Sequence, residues 1–140
     1  MQKKTNSEPT PSVKRMSVKE DNIKHVNLRD NQREYVQQIL KNQITFCSGP
    51  AGTSKTFTAC YTSLLLLAEK KVKKIILCKP IQESGEKLGF LPGDIADKID
   101  PYMQSYISNF KKIAGDELIE SLIHYGLIEF KPLAFMRGDT

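Results

Sequence analysis

The sequence predicts an α/β fold built around a phosphate-binding loop, and three observations point to it. Residues 44–47 (ITFC) are a short apolar run of strand formers. They are followed at once by GPAGTSKT at residues 49–56 and then by a long helix-compatible segment. A second apolar run, residues 73–78 (KKIILC), stops at Pro80, and a third, residues 127–130 (LIEF), stops at Pro132. Strand, glycine-bearing loop, Lys-Thr and helix is the layout of a P-loop, and strand–helix–strand over 44–78 has the length of a βαβ crossover. The second strand is therefore expected parallel to the first, with a right-handed connection.

In chain order, residues 1–27 are rich in Lys, Ser, Thr and Pro, lack apolar periodicity, and are read as a disordered basic arm. Residues 28–140 form the domain. Asp30 is placed as the cap of a helix running to about Asn42. In it Tyr35, Val36, Ile39 and Leu40 share one face, and Asn42 offers a left-handed stop. The helix from Lys55 to about Lys70 carries Leu64-Leu65-Leu66-Leu67-Ala68, apolar nearly all round, which predicts burial on more than one side. Gly85, Gly89, Pro92 and Gly93 mark an irregular stretch. A helix is expected from about Gly93 to Ile113, interrupted at Asp100-Pro101, with Ile95, Ile99, Met103, Tyr106, Ile107 and Phe110 at helical spacing. An amphipathic helix over 116–125 is stopped by Gly126.

Composition narrows the function classes. The chain has 140 residues, of which 39% are hydrophobic and 26% charged, so one globular domain or part of one is expected. The longest apolar run, residues 64–68, is far too short to span a bilayer, and the N-terminus has no secretory apolar core. The expectation is a cytoplasmic protein with no membrane partner. Six basic residues against three acidic ones in residues 1–24 hold over half of the net charge of +5. A solvated tail and a nucleic-acid-gripping arm both fit this. Cys47, Cys60 and Cys78 form no C-x-x-C and lie near neither His25 nor His124. Buried thiols in a reducing compartment are expected, not a disulfide or zinc site.

The loop assigns chemistry to Gly49, Pro50, Ala51, Gly52, Thr53, Ser54, Lys55 and Thr56. Unpaired backbone N–H groups at the start of the following helix, with the positive end of its dipole, suit a nucleotide's phosphates. Lys55 is placed on the β- and γ-phosphates and the Thr56 hydroxyl on Mg²⁺. Ser54 stands where the pattern has its second glycine. If that position needs φ > 0, a non-glycine residue costs about 1–2 kcal/mol.

Three strings, GPAGTSKT, KKIILCKPIQESGEKLGFLPGDIADKIDPY and IEFKPLAFMRGDT, resemble the PhoH-like family of P-loop ATPases, the phosphate-starvation-inducible proteins of bacteria and their phages. The resemblance runs from about Leu28 to Thr140, and GEKLGFLPGD is its most specific part. It implies a RecA-like three-layer α/β/α core, ATP and Mg²⁺ as ligands, and ATP hydrolysis coupled to RNA or single-stranded DNA. Gln32 resembles a glutamine that related helicases place against adenine, and a solvent-facing role in the first helical turn fits it equally. Arg137, in the MRG segment, is a candidate for phosphate or nucleic acid, and Glu83 and Glu86 are read as charged surface. The chain departs from the family at Ser54, usually Gly, and at Lys79, usually Arg. The acidic strand end that holds Mg²⁺ in the family is expected just after the MRG segment, beyond Thr140. The sheet is therefore expected to be incomplete, with unpaired edges at residues 44–47 and 73–78 that are open to another chain or to self-association. The alternatives are a nucleic-acid-binding module, or a fragment that binds nucleotide without hydrolysing it.

Overall fold

A computed structural model of the chain describes residues 17–51, 54–80 and 95–138. Four helices and two strands follow one another as α1 (Asp30–Lys41), α2 (Lys55–Ala68), β1 (Ile75–Lys79), α3 (Ile95–Ala114), α4 (Asp116–His124) and β2 (Ile128–Pro132). A 3₁₀ turn, Glu20–Asn22, precedes α1 and another, Leu133–Phe135, follows β2. The class is α/β, and the sheet is small: β1 and β2 pair parallel, in register from Ile75 opposite Ile128 to Lys79 opposite Pro132. Parallel pairing needs a long crossover. Here it contains α3 and α4.

The core explains the layering. Leu64, Phe110, Ile113, Ile119, Leu122 and Ile128 are all but fully buried in one cluster, joined by Cys60, Leu67 and Ile75. α3 touches both strands and α2, and α2 also packs against α1. The leucine block of α2 therefore meets protein on more than one side, as its sequence requires: Leu64 and Leu67 are buried, Leu65 and Leu66 half-buried. Both α2 and α4 end in a Schellman closure. In α4 the left-handed residue is Gly126 (φ +75°), and the Leu127 N–H reaches the Leu122 carbonyl at 2.8 Å. In α2 the same position is Lys70 (φ +58°), and the Lys71 N–H reaches Leu66 at 3.0 Å.

Five sequence expectations need correction. Residues 44–47 do not form a strand, and β1 pairs with β2 instead. A strand needs a ladder partner, and no described segment supplies one there. The Thr45 hydroxyl instead donates to the Gln38 carbonyl at 3.2 Å. Ile44 and Phe46 are left 76% and 95% exposed. The second strand runs on through Pro132, since a terminal proline gives up only one ladder N–H. α3 passes unbroken through Pro101: an apolar face containing Met103, Phe110 and Ile113 outweighs the roughly 3 kcal/mol cost of an interior proline. Asn42 ends α1 in extended rather than left-handed backbone (φ −120°), its side-chain amide donating to the Gln38 carbonyl at 2.9 Å. At the other end of α1 the cap is Arg29, whose backbone N–H donates to Gln32 Oε1 at 2.9 Å, and Asp30 is the first helical residue.

Within the segment read as a disordered arm, residues 17–27 are described and meet the core at Val18 and Ile23. Val18 is buried in the core, Ile23 packs against it, and the Lys24 N–H donates to the Ile113 carbonyl at 2.9 Å. Residues 1–16 and 81–94, with Glu83 and Glu86, lie outside the described residues. No described helix is long and apolar enough to cross a membrane.

Phe110, at 0% exposure, and Phe46 are opposite extremes of one residue type. Phe110→Ala should lower the unfolding free energy in urea by about 3–5 kcal/mol. Phe46→Ser should change it by less than about 0.5 kcal/mol. Comparable losses for both would contradict the packing described.

Candidate functional site

The loop and the helix it feeds meet at Ser54. Its backbone is left-handed (φ +60°, ψ +30°), so the position does need φ > 0, and serine meets the demand at a cost. The turn redirects the chain into α2, whose first internal bond runs from the Thr58 N–H to the Ser54 carbonyl at 3.0 Å. The Thr58 hydroxyl donates to the same carbonyl at 2.8 Å. The N–H groups of Lys55, Thr56 and Phe57 thus have no partner within the helix, and they stand at the positive end of its dipole.

Lys55 turns back over the loop. Its ammonium donates to the carbonyls of Gly49 and Pro50, the latter at 3.3 Å. A lysine held across the mouth of a glycine-bearing turn can be lifted onto an anion with little backbone change. The Thr56 side chain is exposed beside it. Gly52 and Thr53 lie outside the described residues.

Two hollows flank Lys55. The smaller, about 260 Å³, lies on the loop side and is lined by Tyr35, Cys47, Ser48, Gly49 and Pro50 among others. The larger is a cleft of about 850 Å³. Ala51, Ser54, Lys55, Thr56 and Phe57 line one side, with Val26, Asn27, Arg29, Gln32, Asn109 and Lys112 completing it. Arg29, Gln32 and Lys55 border both hollows. Gln32 is half-buried, its side-chain oxygen engaged with the Arg29 N–H, so the structure brings it beside the loop as the sequence reading allowed. Arg137 is exposed in the turn after β2 and lines neither hollow, and Lys79 also lines neither.

Arg29, Asn109 and Lys112 escaped the sequence reading. Arg29 looked like a residue ahead of a helix cap, and the α3 pair looked like polar surface. The spacing of Asn109 and Lys112, three apart on one helix, is the only local signal. Topology, not sequence, carries α3 to the loop.

Among the described residues, no acid lines either hollow. Glu129, the acid inside β2, is bound by the Lys74 ammonium at 3.2 and 3.3 Å. Lys74 follows the end of α2, and a helix of 14 residues puts that end about 21 Å from the loop. Glu129 lines neither hollow. Among the described residues, no group of His, Cys, Asp and Glu could hold a metal ion.

Burial, and after it the nearness of Cys47, raises the Tyr35 phenol above its ordinary 10.0. Burial alone pushes the Cys60 thiol from 9.0 up to about 12. Of the three free thiols, Cys60 is buried and Cys78 half-buried, as small hydrophobes are, but Cys47 is exposed because its segment joins no sheet.

Ser54→Gly should raise the unfolding free energy by about 1 kcal/mol, because glycine takes the left-handed backbone without steric cost. A loss of stability would show that the serine side chain, not the backbone, matters there. A raised folded-state thiol pKa gives stability that is present below pH 9 and is lost as pH rises from 9 towards 12. Unfolding free energy should therefore fall above pH 9, and Cys60→Ala should flatten that fall. An unchanged slope would contradict the assignment to Cys60.

The profile of the family described as PhoH-like protein matches residues 23–140. A PhoH-like protein of Bacillus subtilis is 45% identical over 109 residues, covering 78% of this chain and 34% of the relative. One from Mycobacterium tuberculosis is 46% identical over 110 residues, covering 79% and 31%. Protein PhoH of Escherichia coli is 34% identical over 111 residues, covering 78% and 31%. The chain thus spans about a third of the length of these curated relatives, and with the profile matched over most of its residues it belongs to the PhoH-like family.

Proposed function

We propose that this chain binds ATP with Mg²⁺ through residues 49–56, as the nucleotide-holding part of a RecA-like three-layer core. The observation that carries the reading is the convergence at Lys55. The open first turn of α2, the left-handed Ser54, the carbonyl-tethered ammonium, Gln32 and Arg29 all border one 850 Å³ cleft. Family membership supports it independently.

The residues present fit a polyphosphate. The N–H groups of Lys55, Thr56 and Phe57 would bind phosphate oxygens, together with the loop's own N–H groups. The Lys55 ammonium would leave two neutral carbonyls for a charged acceptor, a stronger hydrogen bond. Thr56, exposed at the cleft, would offer its hydroxyl to Mg²⁺, and bound Mg²⁺ offsets phosphate charge. Gln32 would meet the base from the start of α1. These groups bind and orient. The carboxylate that positions an attacking water is not assigned to any described residue, so hydrolysis, and its coupling to RNA or single-stranded DNA, rest in this proposal on family membership and the net charge of +5.

Lys55→Ala should weaken ATP binding at least tenfold in calorimetry with Mg²⁺ present, at unchanged melting temperature. A Lys55→Ala protein that binds ATP as tightly as the parent would overturn the proposal.

A further inference from the structure

The cleft carries charge that the loop motif does not account for. Lys112 comes from the last turns of α3 and Arg29 from the segment ahead of α1. Both line the same cleft as Lys55 and Thr56. Among the described residues lining it there is no Asp or Glu. None of the ion pairs among the described residues uses Arg29 or Lys112: the acids near them, Asp30 and Glu120, pair with Arg33 and Lys111. Asp116, one turn beyond Lys112, shares a neighbouring groove with it but does not form an ion pair.

This part of the cleft is held in place. The Lys24 N–H is bonded to the Ile113 carbonyl, the residue next to Lys112, and Val18 anchors the same strap in the core. The strap and the end of α3 therefore present Asn27, Arg29, Asn109 and Lys112 as one surface. Like charges set around one hollow repel each other unless an anion lies between them. A single carboxylate is too small a partner for three cations. A chain of phosphates matches both the charge and the volume.

We propose that Lys112 is a second phosphate-binding lysine: α3 lines the cleft beside the loop and, with Arg29, contacts the polyphosphate that Lys55 holds. The proposal rests on the nucleotide reading above and adds to it a residue that the P-loop motif does not contain. The side chain reads the number of phosphates, not the base.

The test is calorimetry on the full chain with ATP, ADP and AMP, comparing the parent with Lys112→Ala, Lys112→Arg and Lys111→Ala. Lys112 is exposed, so its replacement leaves the core intact, and melting temperatures check this. Lys111 is the control, since it faces Glu120 at 3.1 Å and does not line the cleft. Lys112→Ala should weaken ATP binding about fivefold to tenfold, ADP less and AMP least, while Lys112→Arg keeps most of the affinity. Lys111→Ala should change none of them. Equal losses for all three nucleotides, no loss with ATP, or the same loss from Lys111→Ala would overturn the proposal. If Lys55→Ala abolishes binding and Lys112→Ala leaves it unchanged, only the role of Lys112 fails. If Lys55→Ala binds as the parent does, or the parent binds no ATP, the nucleotide reading fails with it.

Discussion

The structure depends on one asymmetry of α2: its body is buried and its first turn is open. Leu64 and Leu67 fix the helix in the core, between α1 and α3. That packing is what holds the first turn in place, since a free helix of 14 residues is marginal in water. The open N–H groups at the other end are a cost the fold tolerates, and Ser54 adds to it by taking a left-handed backbone without being glycine. Local strain and unpaired donors at one helix end, opposite a well-packed other end, are the arrangement expected where a ligand is to be held. The Lys55 ammonium, donating to the carbonyls of Gly49 and Pro50, leaves those N–H donors without an acceptor.

What the sequence showed, it showed where local chemistry decides. α1, α2 and α4 lie within a residue or two of their expected bounds because apolar periodicity and Gly126 act over one or two turns. The sequence posed φ > 0 at Ser54 as a condition, because the motif has glycine there, and the backbone meets that condition. The failures lie where a partner decides. Residues 44–47 have strand-forming side chains, but a strand exists only when hydrogen-bonded to another, and β1 is paired with β2. The strap of residues 17–27 looks polar in sequence, and two apolar side chains, Val18 and Ile23, with one backbone bond to Ile113 suffice to order it. Arg29 and Lys112 reach the cleft only because α3 and that strap meet there.

The open side of the sheet has a physical meaning of its own. Ile76 of β1 is 41% exposed, and Ile44 and Phe46 leave further apolar surface in water in the segment ahead of the loop. Burying side chains of this size typically stabilises a fold by about 1.5–3 kcal/mol each. The loop is therefore attached on one side to a well-packed core, through α2, and on the other to a segment held to α1 by single polar contacts such as Thr45 to Gln38. The chain spans about a third of the length of its curated relatives, which carry further sequence around the matched region.

The central claim is that the loop and the first turn of α2 hold a polyphosphate. Amide hydrogen exchange with and without ATP and Mg²⁺ tests it most directly. Slowed exchange should concentrate at residues 49–57, where N–H groups without helical partners gain phosphate acceptors, with the body of α2 already protected and unchanged. Exchange at residues 49–57 that is the same with and without saturating ATP would contradict the account.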